Sequence, residues 1–292
     1  MSERPSERAP ERLAVRKTYK LYIGGAFPRS ESGRSYPVTD TKGRFLANAA
    51  KASRKDARDA VVAARKAFTG WSARTPYNRA QILYRIAEML EGRRHQFTDE
   101  LRHTGATKPQ AAAEVDAAID RWVWYAGWAD KITAVTGAAN PVAGPFFNFS
   151  TPEPTGVVAV IAPDSPLLGL VSVLAPVIVT GNTTIVIASE PAPLPAITLA
   201  EVLATSDLPA GVVNILTGHR TELAPPLASH MDINALDLTG APGEHRHDLQ
   251  DKAAGNLKRL HHPTETDWTT QPTTTRMTAF LETKTVWHPV GV

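Results

Sequence analysis

Cysteine is missing from all 292 residues of this chain. Its absence excludes disulfides, cysteine metal sites and a thiolate nucleophile, while saying little about compartment. A large charge of one sign is missing too. Lys and Arg exceed Asp and Glu by only +3, too little for the electrostatic footprint of a nucleic-acid binder. The local excesses, Lys51–Arg58 and Gly92–His95, read as solvated helix faces and loops. Long apolar runs are also absent. The most apolar stretch, Val157–Gly181, is broken by Pro163, Asp164 and Pro166, which fits a buried strand followed by a buried helix and not a membrane span. The opening MSERPSERAPERLAVRK has no apolar core of a secretory signal. It alternates acid and base with Pro and Ser, so residues 1–18 are expected to be a disordered tail. These absences point to a cytoplasmic protein with no nucleic-acid or membrane partner.

What is present is regular. Residues 20–53 carry short β-type runs separated by Gly, Pro and Asp, the pattern of small hairpins. Ser53 reads as the cap of a helix with Asp56 in its first turn and a face of alanines. A second helix is expected over Tyr77–Leu101, with Ile82, Leu83, Ile86, Ala87 and Leu90 on one face. A third begins at Pro109; its Trp122, Trp124, Tyr125 and Trp128 read as core or interface packing in preference to a ligand platform. Phe146–Thr151 alternates as a strand, with Pro152 and Pro154 expected to end it.

From Gly156 the pattern changes to repeated β-α units. VVAVIA, TTIVIA, VVNIL and INALDL look like strands buried on both faces, with helical stretches at 166–180, 194–206, 222–229 and 242–255. Right-handed crossovers then build an α/β fold, a Rossmann-like parallel sheet with flanking helices. HHPTETDWTTQPTTT, residues 261–275, has no apolar period and reads as a linker; residues 276–292 alternate again as a strand. His245, His247, His261 and His262 lack the spacing of a metal site. Ser165 lacks the Gly-x-Ser-x-Gly setting of a hydrolase nucleophile and reads as structural or as a helix cap.

YIGGAF, KASRKDARDAVVAARKAFTGW, YAGWADKI, PTGVVAVIAP, GNTTIVIASE, LPAGVVNILTG, DLTGA and NLKRL stand in one register. Together they resemble the N-terminal, NAD(P)-binding half of an aldehyde dehydrogenase, covering residues 19–260. FLETKTVWHP resembles the strand that ends such chains, and GPFFNFSTPEPTG, with its bridging strand at 145–155, the bridging hairpin. The resemblance therefore adds a small β oligomerisation hairpin and strand module to the Rossmann-like domain. It also implies that the catalytic half is missing between them.

Members of that family oxidise aldehydes through a cysteine, with an asparagine and a backbone N–H stabilising the oxyanion and a glutamate activating water. The asparagine's block falls at Pro163-Asp164-Ser165-Pro166, one residue short and without asparagine. An ionised aspartate cannot donate to an oxyanion. The glutamate's block, expected after NLKRL, is replaced by His261-His262-Pro263, and the cysteine has no counterpart. No catalytic residue is assigned. In the family's cofactor lysine position stands Ile187, followed by the retained Ser189 and Glu190; Thr239 and Gly240 keep the Thr-Gly turn, but Ala241 and His245 replace a serine and a glycine. Ser189, Glu190, Thr239 and Gly240 are thus vestiges of a dinucleotide site, kept by packing in preference to binding. NAD or NADP stays the candidate cofactor.

The resemblance implies a catalytically inactive homologue acting as a structural or regulatory subunit. Its expected partner is a full-length aldehyde dehydrogenase or a second copy of itself, reached through Phe280–Trp287, whose strand adds to another subunit's sheet edge or pairs within its own chain. The alternatives are an NAD(P)-dependent oxidoreductase with partner-supplied catalytic residues and a nucleotide-binding sensor. For the sensor, a bulky residue at Gly240 is expected to abolish the response while leaving folding intact.

Overall fold

The computed structural model describes Leu13, residues 15–263 and residues 267–291. Most of the expected disordered tail lies outside the described residues. The end of it is tied down, because the Arg16 guanidinium donates to the Phe45 carbonyl (3.0 Å) and Lys17 pairs with Glu201 (2.7 Å).

β1 (Ser35–Thr39) and β2 (Phe45–Ala50) form the first hairpin, antiparallel. Asp40 folds its turn by accepting from the Lys42 and Arg44 amides. α1 (Arg54–Ser72) starts at a capping box in which Ser53 and Asp56 each satisfy the other's end of the turn. Its alanine face serves close approach: a Cβ on Gly211 would stand 2.6 Å from the Ala63 carbonyl oxygen. The second expected helix is two, α2 (Pro76–Gly92) and α3 (Arg94–His103), since the helical path breaks at Gly92–Arg93 and the apolar face continues on a new axis. The third is α4 (Lys108–Ala126), with a capping box of Thr107 and Gln110, followed by the short α5 (Ile132–Thr136). Trp122 and Tyr125 are buried in the core, as packing requires.

The α/β part is a parallel sheet built from β5 (Val157–Ile161), β6 (Thr183–Ile187), β7 (Val213–Leu216), β8 (Ala235–Asp237) and β9 (Arg259–His261), in the order β7-β6-β5-β8-β9. α6 (Leu168–Val179), α7 (Leu194–Ala204), α8 (Arg220–Ser229) and α9 (Gly243–Ala254) make the crossovers. Along β5, Val158 and Val160 enter one core with α4, α6 and α7. Val157, Ala159 and Ile161 enter a second core with α1, α8 and α9. Both faces are covered, which is why these strands read as unbroken apolar runs. Among the described residues no helix is long and apolar enough to cross a membrane.

One expectation is corrected at the other sheet. β4 (Phe146–Pro154) runs through Pro152 and Pro154 instead of stopping before them. The short β3 (Ala138–Asn140) covers only Asn148–Ser150, so the prolines fall where β4 is paired on one side alone. The terminal strand, β10 (Leu281–Pro289), pairs antiparallel with β4 of its own chain from Leu281↔Pro154 to Pro289↔Phe146, giving the order β10-β4-β3. Within the chain, β10 thus pairs on one edge, the in-chain arrangement, and its other edge carries no strand of the described residues. Residues 267–274 before it form no regular element, yet are docked. Arg121 donates to the carbonyls of Trp268 (2.8 Å) and Thr270 (2.9 Å), and after α10 (Thr275–Thr278) Phe280 is fully buried, its carbonyl accepting from Asn182 (2.9 Å).

Phe280→Ala is accordingly expected to cost about 3–5 kcal/mol in urea unfolding. A cost below about 1 kcal/mol would mean that the C-terminal return is not part of the core.

Candidate dinucleotide crevice

In an open parallel sheet, ligands bind beyond the carboxyl ends of the strands, where the strand order reverses. Here β5 connects to β6 on one side and lies beside β8 on the other, so the reversal falls between the loops 162–167 and 238–242. The retained Thr-Gly turn is in the second of these. Gly240 is required there by backbone packing: an added Cβ would lie 2.0 Å from the Ala162 carbonyl oxygen, and its N–H donates to the Ile161 carbonyl (2.8 Å). The expectation that a bulky residue leaves folding intact is therefore corrected, because that residue would push β8 off β5.

The four vestigial residues all lie at this mouth, but each is engaged by the protein itself. Buried Ser189 donates to Asp164 (2.9 Å). Glu190 takes the His219 Nδ1 at 2.5 Å on one oxygen and the Arg220 amide (3.1 Å) on the other. Thr239 is folded onto Asp237, through its amide (2.9 Å) and its hydroxyl. Asp237 in turn forms a buried ion pair with Arg276 (3.1 Å), whose guanidinium also donates to the Thr239 hydroxyl (3.2 Å). Asp164 pairs with Arg220, which also donates to the Ala162 carbonyl (3.0 Å).

Three helix N-termini face the mouth. At α6 the Glu114 carboxylate accepts from the amides of Leu167 (3.3 Å) and Leu168 (3.2 Å). Ser165 accepts from the Gly169 amide (3.0 Å), the capping role expected of it. Glu190 fills the same role for α8, whereas α9 has no side-chain cap. Sequence reasoning missed Glu114, Arg220 and Arg276. A single charged residue carries no periodic signal, and Glu114 stands in an alanine run of α4 with nothing to mark its aim.

Two cavities adjoin the mouth. One of about 750 Å³ lies under the β1–β2 hairpin and includes Tyr36, Glu100, Asp164, Glu190, His219 and Arg220 in its wall. The other, of about 180 Å³, is a slot between α8 and α9, bounded by Ile161, Ala224, Pro225, Pro242 and Leu249 and by Arg220. Burial, and next the Glu190 carboxylate, hold the Tyr36 phenol well above its ordinary range. Burial also pushes the Glu100 carboxyl up, against hydrogen bonds from Thr198 (2.7 Å) and Tyr19 (3.1 Å) and the charge of Lys17. Among the described residues no group of three or more His, Asp or Glu side chains is placed to hold a metal ion.

Gly240→Ala is expected to destabilise the fold by about 3 kcal/mol or more, read as a lowered Tm; an unchanged Tm would mean that β5 and β8 can part without cost. Glu100 binds its proton more tightly folded than unfolded. Its contribution to stability is therefore complete below the ordinary Glu range and lost as pH rises through its raised value. Glu100→Gln should match the native chain near about pH 4 and exceed it near about pH 8 in urea midpoint, and a weaker variant at the higher pH would reject this account.

Comparison with known proteins agrees with this architecture. A model of the aldehyde dehydrogenase family matches residues 27–264. Cytosolic aldehyde dehydrogenase 1 of Elephantulus edwardii is 33% identical over 252 residues, 82% of this chain and 49% of that protein. Omega-crystallin of Enteroctopus dofleini is 32% identical over 257 residues, 86% of this chain and 51% of that one. Among solved structures, HpcC from Thermus thermophilus superposes with a TM-score of 0.79 at 30% identity, covering 84% of this chain and 47% of that one. The NAD+ complex of the Bacillus cereus aldehyde dehydrogenase gives 0.79 at 26%, covering 84% and 50%. The chain thus spans about half the length of the relatives it matches. With the family model matched over residues 27–264, most of its length, this chain belongs to the aldehyde dehydrogenase family.

Proposed function

We propose that the protein is a catalytically inactive aldehyde dehydrogenase homologue that works in the cytoplasm as a structural or regulatory subunit. The observation that carries this reading is internal to the chain. β9 ends at His261 and β10 begins at Leu281, so only nineteen residues separate the parallel sheet from the strand that completes the second sheet. No cysteine is available for acyl transfer anywhere in the sequence. The loop position of the family's oxyanion-stabilising asparagine holds Asp164, whose carboxylate is committed to Ser189 and Arg220.

Assembly is supported by what the small sheet leaves exposed. Phe146, Phe147, Trp287 and Val290 are 43–57% exposed at the end of the β4–β10 pair, with Phe146 against Trp287 and Phe149 stacked on His288. Clustered exposed aromatics of this kind mark protein interfaces. The partner is a full-length aldehyde dehydrogenase subunit or a second copy of this chain. A nucleotide sensor is the second reading, favoured only by the slot between α8 and α9, which is smaller than the usual clefts for drug-sized ligands.

The deciding experiment is the native mass and composition of the untagged assembly from its own cells, with an aldehyde oxidation assay on the purified chain. A fixed-stoichiometry complex is expected, and a Phe147→Ser/Trp287→Ser variant should weaken it on the order of 30-fold or more without lowering Tm. Enzymatic turnover by the chain alone, or a lone monomer in the cell extract, would reject the proposal.

A further inference from the structure

An extended dinucleotide laid across the carboxyl ends of a parallel sheet needs a continuous groove, and its pyrophosphate needs a helix N-terminus with free amides. The crevice of this chain is divided, and of the three N-termini at its mouth only that of α9 is left without a side-chain acceptor. Arg220 lines both the 750 Å³ cavity and the 180 Å³ slot, and so stands as the partition between them. Its side chain is only 12% exposed. It is held across the end of β5 by the Ala162 carbonyl at 3.0 Å and by the Asp164 carboxylate, whose Oδ1 also accepts from Ser189.

Two of the three anion-binding positions are likewise taken from within. The amides at the start of α6 point to Glu114 and that at the start of α8 to Glu190, so both termini already face a carboxylate. A phosphate brought to either would meet like charge in place of free N–H groups. On the β8 side, Asp237 and Arg276 close a buried pair over Thr239.

We infer that the dinucleotide crevice of this protein is filled by its own side chains, and that Arg220, held by Asp164, is the residue that shuts out NAD and NADP. The inference does not depend on the assembly proposal: a chain that joins no partner still has a divided crevice. It also assigns a purpose to the retained Ser189 and Glu190, which orient Asp164 and the first turn of α8 instead of a ribose.

The test is calorimetric titration of the full chain with NAD+ and, separately, NADP+, alongside an Arg220→Ala/Asp164→Asn variant whose Tm is checked first. The native chain is expected to give no saturable heat at millimolar ligand. The variant, with the partition and its carboxylate removed, is expected to gain saturable binding of at least about tenfold higher affinity. If the double variant melts early, Arg220→Ala alone is titrated with the same expectation. Saturable binding by the native chain would overturn the inference. Absence of binding by every folded variant would also overturn it, because the obstruction would then lie elsewhere.

Discussion

β5 must satisfy its backbone on both edges, against β6 and β8, while its side chains feed two separate cores. That double demand leaves no freedom in where the strand ends. The loops after β5, β6, β7 and β8 are then delivered to one edge of the sheet, and the packing of Gly240 on Ala162 sets how closely the β8 loop approaches. Every residue of the mouth, from Asp164 to Arg276, takes its position from this arrangement. The chemistry of the mouth is a later decision laid over a scaffold that packing has already fixed.

That later decision is consistent in sign. Apart from the uncapped start of α9, positions that could face an anionic ligand with bare amides or a cation are neutralised at home: Glu114 on α6, Glu190 on α8, Asp164 on Arg220, Asp237 on Arg276. Buried or half-buried charges are tolerated only when paired in this way. The same pairing that makes the mouth stable removes the electrostatic reason for a phosphate to enter it.

The sequence made some of this legible and concealed the rest for a physical reason. Strands β5 to β8 were readable because burial on both faces demands β-branched, apolar runs, and α1 because its cap residues are local. The break between α2 and α3 was not, since an apolar face can continue across a change of axis. Nor was the path of β4 through its prolines, which depends on how little of it β3 covers. Arg220 and Arg276 find their carboxylates 56 and 39 residues away, and no local pattern announces such a pair. The motifs place Glu190 and Thr239 at the mouth, but their partners Arg220 and Arg276 come from elsewhere in the chain.

The three-stranded sheet has a consequence in time. β3 and β4 are neighbours in sequence and close as a hairpin, while β10 must travel back from more than a hundred residues away. Loop closure of that span is slow compared with local pairing, so one flank of β4 waits uncovered while the parallel sheet matures. During that interval another copy's Leu281–Pro289 could offer identical hydrogen bonds. The ratio of self-closed to exchanged molecules is then set by protein concentration during folding, and a history of dilute or crowded refolding would be recorded in the product.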